Sequence, residues 1–419
     1  MKKKILVIAP VFSCSGYSQH ARIVLNALKE IEDKVDLYLL PTGWAQTHFD
    51  TNDFENKDWM NYLTYKHQQN VQVTKFKYDV SIQLMVPHEW NTEAAEYNIG
   101  ITALVETDKI SPLWIECINR MDKVLTISSF NKDTILSSVY STEQGVLKVT
   151  EPSRIGLATF PVKDYDSITK EESLEAFDFE TDFNYLCCAQ LGPRKNVEDT
   201  VKWFVETFHN REDVGLVLKL HIMNNSTIDK DESKKTIRAI LNQFPDKKCK
   251  VYMIHGNLSE KQLHSLYVHP KIKAIISTSH GESWGLPLFE AAYMGLPVIA
   301  PKFSGYLDFL MQDKLVEGKK KKKPFFADVD FVLKPVSDQH LWDNVIIKGS
   351  LWAFTTEASF KNRLQEVNKD YSRFKSQALK LKEILKEKYS KENVYTQYTK
   401  HLEEFFEEEE YNFEDVTVK

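Results

Sequence analysis

The chain has 419 residues, 42% of them hydrophobic and 12% aromatic, which is enough to build two or three packed domains and excludes wholesale disorder. Lys plus Arg number 54 against 60 Asp plus Glu, a net charge of -6. That balance removes any general reason to expect nucleic acid as a partner and leaves only a local basic patch to supply one.

The opening MKKKILVIAPVF has an apolar run too short for a signal peptide, broken by Pro10 and followed by no small-residue cleavage site, so it reads as a first β-strand. After a Gly/Ser loop, HARIVLNALKEI places Ile23, Leu25, Ala27 and Leu28 at helical spacing. DLYLLP, DVSIQLMVP, IGITALVE and KVLTISS follow as strands, with SPLWIECINRM and SSFNKDTILSSVY as helices that serines cap. The stretch from 161 to 182 is charged, poor in apolar periodicity, and reads as an interdomain link. A second alternating series then runs from NYLCCAQ through NVEDTVKWFVETF, VGLVLKLHI, KKTIRAILNQF, KVYMIHG, SEKQLHSLY, KAIISTS and PLFEAAYMG to PVIAP. Two such series predict an α/β chain with two open parallel sheets and right-handed crossovers. The stretch from Asp370 to Phe406 is strongly helical, and the acidic run at 407–410 is expected to fray. No apolar stretch approaches the roughly 18 residues of a membrane span. The five cysteines (Cys14, Cys117, Cys187, Cys188, Cys249) form no CxxC pair, which suits a reducing, cytoplasmic setting.

Two facing domains of this kind bind ligands beside the loops that follow their strands. Four such loops carry unusual residues. In SCSGYSQH, Gly16 opens a helix, either as an ordinary tight turn or as a place where backbone amides approach an anion. In VPHEWN, His88 is either a packing residue or a contact to a sugar or acceptor. In AQLGPRKN, Arg194 and Lys195 are a surface turn or a cationic pair for a diphosphate. In HGESWGLPLFE, Glu282 ends a strand and Glu290 lies two helical turns later. Between them, Gly285 and Leu286 offer amides at a helix start that Pro287 suits. Outside these loops, GKKKKKP is a solvated loop or an anion contact. The aromatic stretch from Gly43 to Tyr65 is packing or an acceptor-binding insertion.

ESWGLPLFEAAYMGLPVIA resembles the E-x7-E segment of the retaining, nucleotide-sugar-dependent family 4 glycosyltransferases of GT-B fold. SGYSQHA, the HE of VPHEWN, ETDKISPLW, NRMDKVLTISSFNKD, RKN and KVYMIHGNLSEKQLHSLY extend the likeness over most of the chain. The resemblance implies an N-terminal Rossmann-like acceptor domain over 1–170, joined by a C-terminal helix at about 390–419, and a nucleotide-sugar donor domain over 180–389. It implies that His88 faces the reacting sugar, Glu282 binds the sugar's hydroxyls and Glu290 the ribose. Ser283, Trp284, Gly285 and Leu286 would line the sugar and diphosphate, Lys195 and Arg194 would hold the phosphates, Leu258 would pack the base and Gly16 would lie under the diphosphate. The pattern departs at Ser15, where a second glycine is usual, and at Ala189-Gln190, where Gly-Arg is. No DxD metal motif stands out except DVD at 328–330, so no cofactor or metal is expected beyond the donor itself.

The opening ILVIAPVFSCSGYSQHARIVL and the Lys/Asn/Phe-rich composition also resemble glycosyltransferases of large tailed phages. The acceptor is therefore either a glycan, lipid or small molecule, or hydroxymethylated DNA bases met by the lysines of 319–323. Two other readings stay open: a nucleotide-sugar epimerase of the same architecture, and a non-catalytic partner subunit.

Overall fold

The structure is a computed structural model that describes all residues except 1, 45–46, 48, 51–52, 72–76, 144, 224, 317–318 and 406–419. Two six-stranded sheets, both wholly parallel, organise the chain. In the first, spatial order runs Val35–Pro41, Lys3–Ala9, Val80–Leu84, Tyr97–Thr102, Lys123–Thr126, Ile155–Leu157. In the second it runs Lys250–Ile254, Val214–His221, Phe183–Gln190, Ile272–Ile276, Val298–Pro301, Ala327–Val329. The central strands are buried on both faces: Val7 stands opposite Ile82, and Leu186 opposite Val217 and Ile275, all at or below 4% exposure. That is why each strand reads in sequence as an unbroken apolar run rather than an alternating one.

Strand order sets where ligands can sit. The first sheet reverses direction between Lys3–Ala9 and Val80–Leu84, the second between Phe183–Gln190 and Ile272–Ile276. At such a reversal adjacent crossovers lie on opposite faces, and the loops beyond the strand ends part to leave a crevice. The loops at the two reversals hold Gly16 and His88 in one half, and Arg194, Lys195 and Glu282 in the other.

A single hydrophobic core joins the halves. It runs from Val7 and Val24 through Leu186 and Leu288 to Trp284, Phe309, Tyr389 and Tyr398. Helix Tyr371–Lys388 packs on helix Leu286–Tyr293, and helix Lys391–Thr399 returns to pack on helix Gly16–Lys29. Tyr398 anchors that return. Its hydroxyl donates to the Thr159 carbonyl at 2.8 Å and meets His20 Nε2 at 2.8 Å. Burial drives the His20 imidazole down to about 3, so it is neutral and supplies the N–H of that contact. Tyr398→Phe leaves a buried N–H and a buried carbonyl without partners. It is expected to cost about 1–3 kcal/mol in urea unfolding, with activity per folded molecule unchanged.

Two segments depart from expectation. The charged stretch from 161 to 182 contains a helix, Lys170–Ala176, closed by a reciprocal capping box between Thr169 and Glu172. Ser173 is buried and donates to the Ser265 carbonyl, so this turn is docked on helix Glu260–Val268. The lysine run is not a loop. Lys319–Pro324 is a strand paired antiparallel with Met311–Val316, in a two-stranded ribbon outside both sheets, with Lys319–Lys323 exposed. The acidic run at 407–410 and the part of the expected helix from 406 to 419 lie outside the described residues.

Candidate active site

The second sheet's crevice gathers three charges onto one spot. Phe183–Gln190 ends in a short turn, Pro193–Lys195, closed by Asn196 in the left-handed region at φ 50°. Ile272–Ile276 ends in the loop that carries Glu282, and its Gly281 carbonyl accepts from Arg194 Nη1 at 2.5 Å. Lys195 Nζ lies 2.5 Å from Glu282 Oε1, and Arg194 Nη1 lies 3.2 Å from Oε2. Burial alone would push the Glu282 carboxyl up. Lys195 and Arg194 outweigh it and hold the group down at about 2, so Glu282 is an anion. Burial, reinforced by Arg194, lowers the Lys195 ammonium, with Glu282 opposing.

The loop that follows is built tightly. Gly285, at φ 83°, turns the chain into helix Leu286–Tyr293, a conformation glycine adopts without a Cβ penalty. The Glu282 carbonyl accepts from Gly305 N–H at 2.8 Å. A Cβ on Gly305 would fall 1.8 Å from the Ser283 carbonyl oxygen, so only glycine permits that approach.

Glu290, on the same helix, is 5% exposed and accepts from the Tyr267 hydroxyl at 3.0 Å. Burial raises its carboxyl to about 7; Lys163 and Tyr267 pull it down and Glu260 adds to the rise. The two glutamates of HGESWGLPLFE are thus one fixed anion and one group poised near neutrality.

Other expected positions fall as follows. Leu258 is half-buried just beyond Lys250–Ile254, against the shared core. Leu286 is half-buried, and a Cβ on Gly16 of the opposite half would meet its Cδ1 at 3.8 Å. The two loops therefore face each other, at a distance any residue tolerates. Ser283 is buried and its Oγ has no hydrogen-bond partner. Trp284, expected beside the sugar, is instead a core residue at 2% exposure. It packs on Phe160, Phe289, Phe309 and Tyr389 with ring centroids 5.1–6.0 Å away. An indole after the strand-end glutamate reads locally as a ligand platform; only the tertiary junction of the halves shows where it goes.

His88 is exposed and its Nδ1 accepts from the Trp114 indole N–H at 3.0 Å. Among the described residues no hydrogen bond or ion pair joins it to Glu282. The side chain that does reach across is Glu106, whose Oε1 lies 3.3 Å from Arg194 Nη2. The sequence held the same signal there as at Glu282: a carboxylate at the end of an apolar run, IGITALVE. Further contacts join the halves nearby, with Leu351 N–H on Asp108 Oδ1 at 2.6 Å and Ser129 N–H on Asp308 Oδ2 at 2.7 Å. Within DVD, Asp328 is engaged by Lys302 at 3.3 Å and Arg363 at 3.1 Å. Among the described residues no three His, Cys, Asp or Glu side chains stand together as a metal site would need.

Residues 169–342, which include the Arg194–Lys195 turn and both glutamates, match the family model for glycosyl transferases group 1. Sucrose-phosphate synthase from Spinacia oleracea is 29% identical over 194 residues, 43% of this chain and 18% of that enzyme. Sucrose-phosphate synthase 1 from Arabidopsis thaliana is 32% identical over 168 residues, 38% of this chain and 15% of that enzyme. Each match thus takes in less than a fifth of the relative's length. Among solved structures, a glycosyltransferase from Rickettsia africae aligns with a TM-score of 0.62 at 13% identity, covering 97% of this chain and 99% of that one. At that identity the likeness is one of fold.

Proposed function

We propose that this chain is a glycosyltransferase of GT-B fold that moves a sugar from a nucleotide-sugar donor to an acceptor hydroxyl, with retention at the anomeric carbon and without a metal ion. The observation that carries this reading is the meeting of Lys195, Arg194 and Glu282 at the second sheet's crevice, with Glu290 two turns along the same segment. The two cations match the charge of a departing diphosphate and would stabilise it as the glycosidic bond breaks. Glu282, held as an anion, would accept from sugar hydroxyls; Glu290 would accept from the ribose, and Leu258 would pack the base. Ser283 Oγ, buried without a partner, suits a ligand hydroxyl, because a buried polar atom is costly when left alone. Gly285, Leu286 and Gly16 would flank the diphosphate, and His88, its Nδ1 taken by Trp114, would offer Nε2–H to the reacting sugar. Five free cysteines fit a cytoplasmic setting, and no helix among the described residues is long and apolar enough to cross a membrane.

The family match covers residues 169–342 alone, so the acceptor rests on other observations. A sugar or lipid hydroxyl is the first reading. The strand Lys319–Lys323 favours a second, a polyanion such as hydroxymethylated DNA, because these lysines are exposed and, among the described residues, no ion pair engages them. With a polyanionic acceptor, transfer is expected to fall by at least about tenfold between 50 and 200 mM salt, and replacing the five lysines with glutamine is expected to flatten that dependence. A neutral acceptor predicts little change in either.

The reading is tested by incubating the protein with UDP-, GDP-, ADP- and CMP-sugars, with and without a chelator, and following nucleotide release and the anomer of the product by NMR. Chelator-resistant release with a retained anomer supports it. An inverted product contradicts retention, loss of activity in chelator contradicts metal independence, and isomerised donor sugar points to the epimerase.

A further inference from the structure

The loop after strand Tyr97–Thr102 is held in an unusual form. Leu104 has φ 58°, a left-handed conformation that costs a branched residue energy and persists only where the surroundings impose it. They do so here: the Tyr17 hydroxyl accepts from Ala103 N–H at 3.1 Å, and Thr102 Oγ1 accepts from Leu104 N–H at 3.1 Å. The result aims Glu106 at the opposite half. Gly281 makes room for it, since a Cβ there would stand 2.6 Å from the Glu106 carbonyl oxygen. One guanidinium then bridges two carboxylates, with Arg194 3.3 Å from Glu106 and 3.2 Å from Glu282.

The two carboxylates live in different environments. Glu282 has two cations in direct contact and stays ionised. Glu106 has one, and burial, with the Glu282 charge behind it, raises its carboxyl above the usual range despite Arg194 and Lys195. Tyr17, which also faces it, is pushed up to about 12 by burial and stays neutral. Paired acids driven apart in this way are suited to separate tasks, one as a fixed charge and one as a proton carrier.

We propose, resting on the transferase reading, that Glu106 is the catalytic proton acceptor of the transfer step, supplied by the half of the chain opposite the donor. A bound diphosphate takes Arg194 and Lys195, releasing Glu106 beside the leaving group. The acceptor oxygen then bonds to the anomeric carbon as the bond from that carbon to the diphosphate oxygen breaks. The electron pair leaves with the diphosphate, and the acceptor's proton passes to a Glu106 carboxylate oxygen and on to solvent. The guanidinium that Glu106 gives up is the one that takes the diphosphate, so proton acceptor and leaving group lie on one face of the sugar, as retention by attack on that face requires.

The test measures donor binding by thermal shift and donor hydrolysis, water serving as acceptor, for the wild type, Glu106→Gln and Glu106→Asp with the UDP-, GDP-, ADP- and CMP-sugar panel. Glu106→Gln is expected to bind donor at least as tightly as the wild type, to lose about 100-fold or more in kcat, and to lose the acidic limb of the pH profile. Glu106→Asp is expected to keep that limb at reduced kcat. Equal kcat in all three, or a change confined to donor affinity, overturns the role of Glu106 and leaves the transferase reading standing. Failure of the wild type to bind any donor overturns both. Should Glu106→Gln not fold, an Asp variant without an acidic limb overturns the proposal equally.

Discussion

Glu282→Gln is expected to cut sugar transfer by about 10³-fold while making free nucleoside diphosphate bind more tightly. The rate loss is the scale seen when one fixed electrostatic partner of a reacting group is removed. The gain in nucleotide affinity follows from the ion pairs: without the carboxylate, Lys195 loses its partner and Arg194 keeps only Glu106, and a diphosphate supplies the missing charge. The same loss destabilises the free protein by about 3 kcal/mol, since the cations are mostly buried, with Arg194 26% and Lys195 21% exposed. Added nucleoside diphosphate should restore most of that in a thermal melt. The pH dependence has a definite sign. The folded carboxyl is held at about 2, below the ordinary value of 4.5, so its stabilisation is fully present above pH 4.5 and is lost as pH falls towards 2. Glu282→Gln removes that dependence.

Glu290 works in the opposite direction. Its folded carboxyl is raised by burial from 4.5 to about 7. Between those values the folded chain keeps a proton that the unfolded chain has released, so stability falls as pH rises from 4.5 to 7 and levels off above. The loss is on the order of 3 kcal/mol, and Glu290→Gln is expected to be flat across the same window. Donor affinity should run the other way. Ribose hydroxyls need an ionised acceptor, and at pH 6 only about one-tenth of Glu290 is ionised. Donor should therefore bind about tenfold more weakly at pH 6 than at pH 8, measured by titration calorimetry, with no such change in the glutamine variant.

What was legible in the sequence was what local chemistry dictates. Runs such as KILVIAP and VGLVLKLHI have to be buried on both faces, and they form the central strands of two parallel sheets. Polar residues at the ends of those runs have to lie at the sheet edge, which is where Arg194, Lys195 and Glu282 meet. Legibility failed where a residue's partner is distant in the chain. Trp284 follows a strand-end glutamate and looks like a ligand contact, yet Phe160 and Tyr389, from far along the chain on either side, complete its apolar cage. Glu106 meets Arg194 only because the two sheets face each other. Lys170–Ala176 has little apolar periodicity of its own; its signal was the Thr169-x-x-Glu172 box. The lysine run pairs as a strand because Met311–Val316 lies beside it, something its own composition does not announce.

The central claim, that HGESWGLPLFE with Arg194 and Lys195 is a nucleotide-sugar site, is tested most directly by thermal shift of the wild type and Glu290→Ala against UDP-, GDP-, ADP- and CMP-sugars. One donor class is predicted to stabilise the wild type by roughly 2.7 kcal/mol at a hundredfold excess over its dissociation constant, and to lose most of that in the variant. No shift from any donor, or an equal shift in both proteins, would contradict the claim.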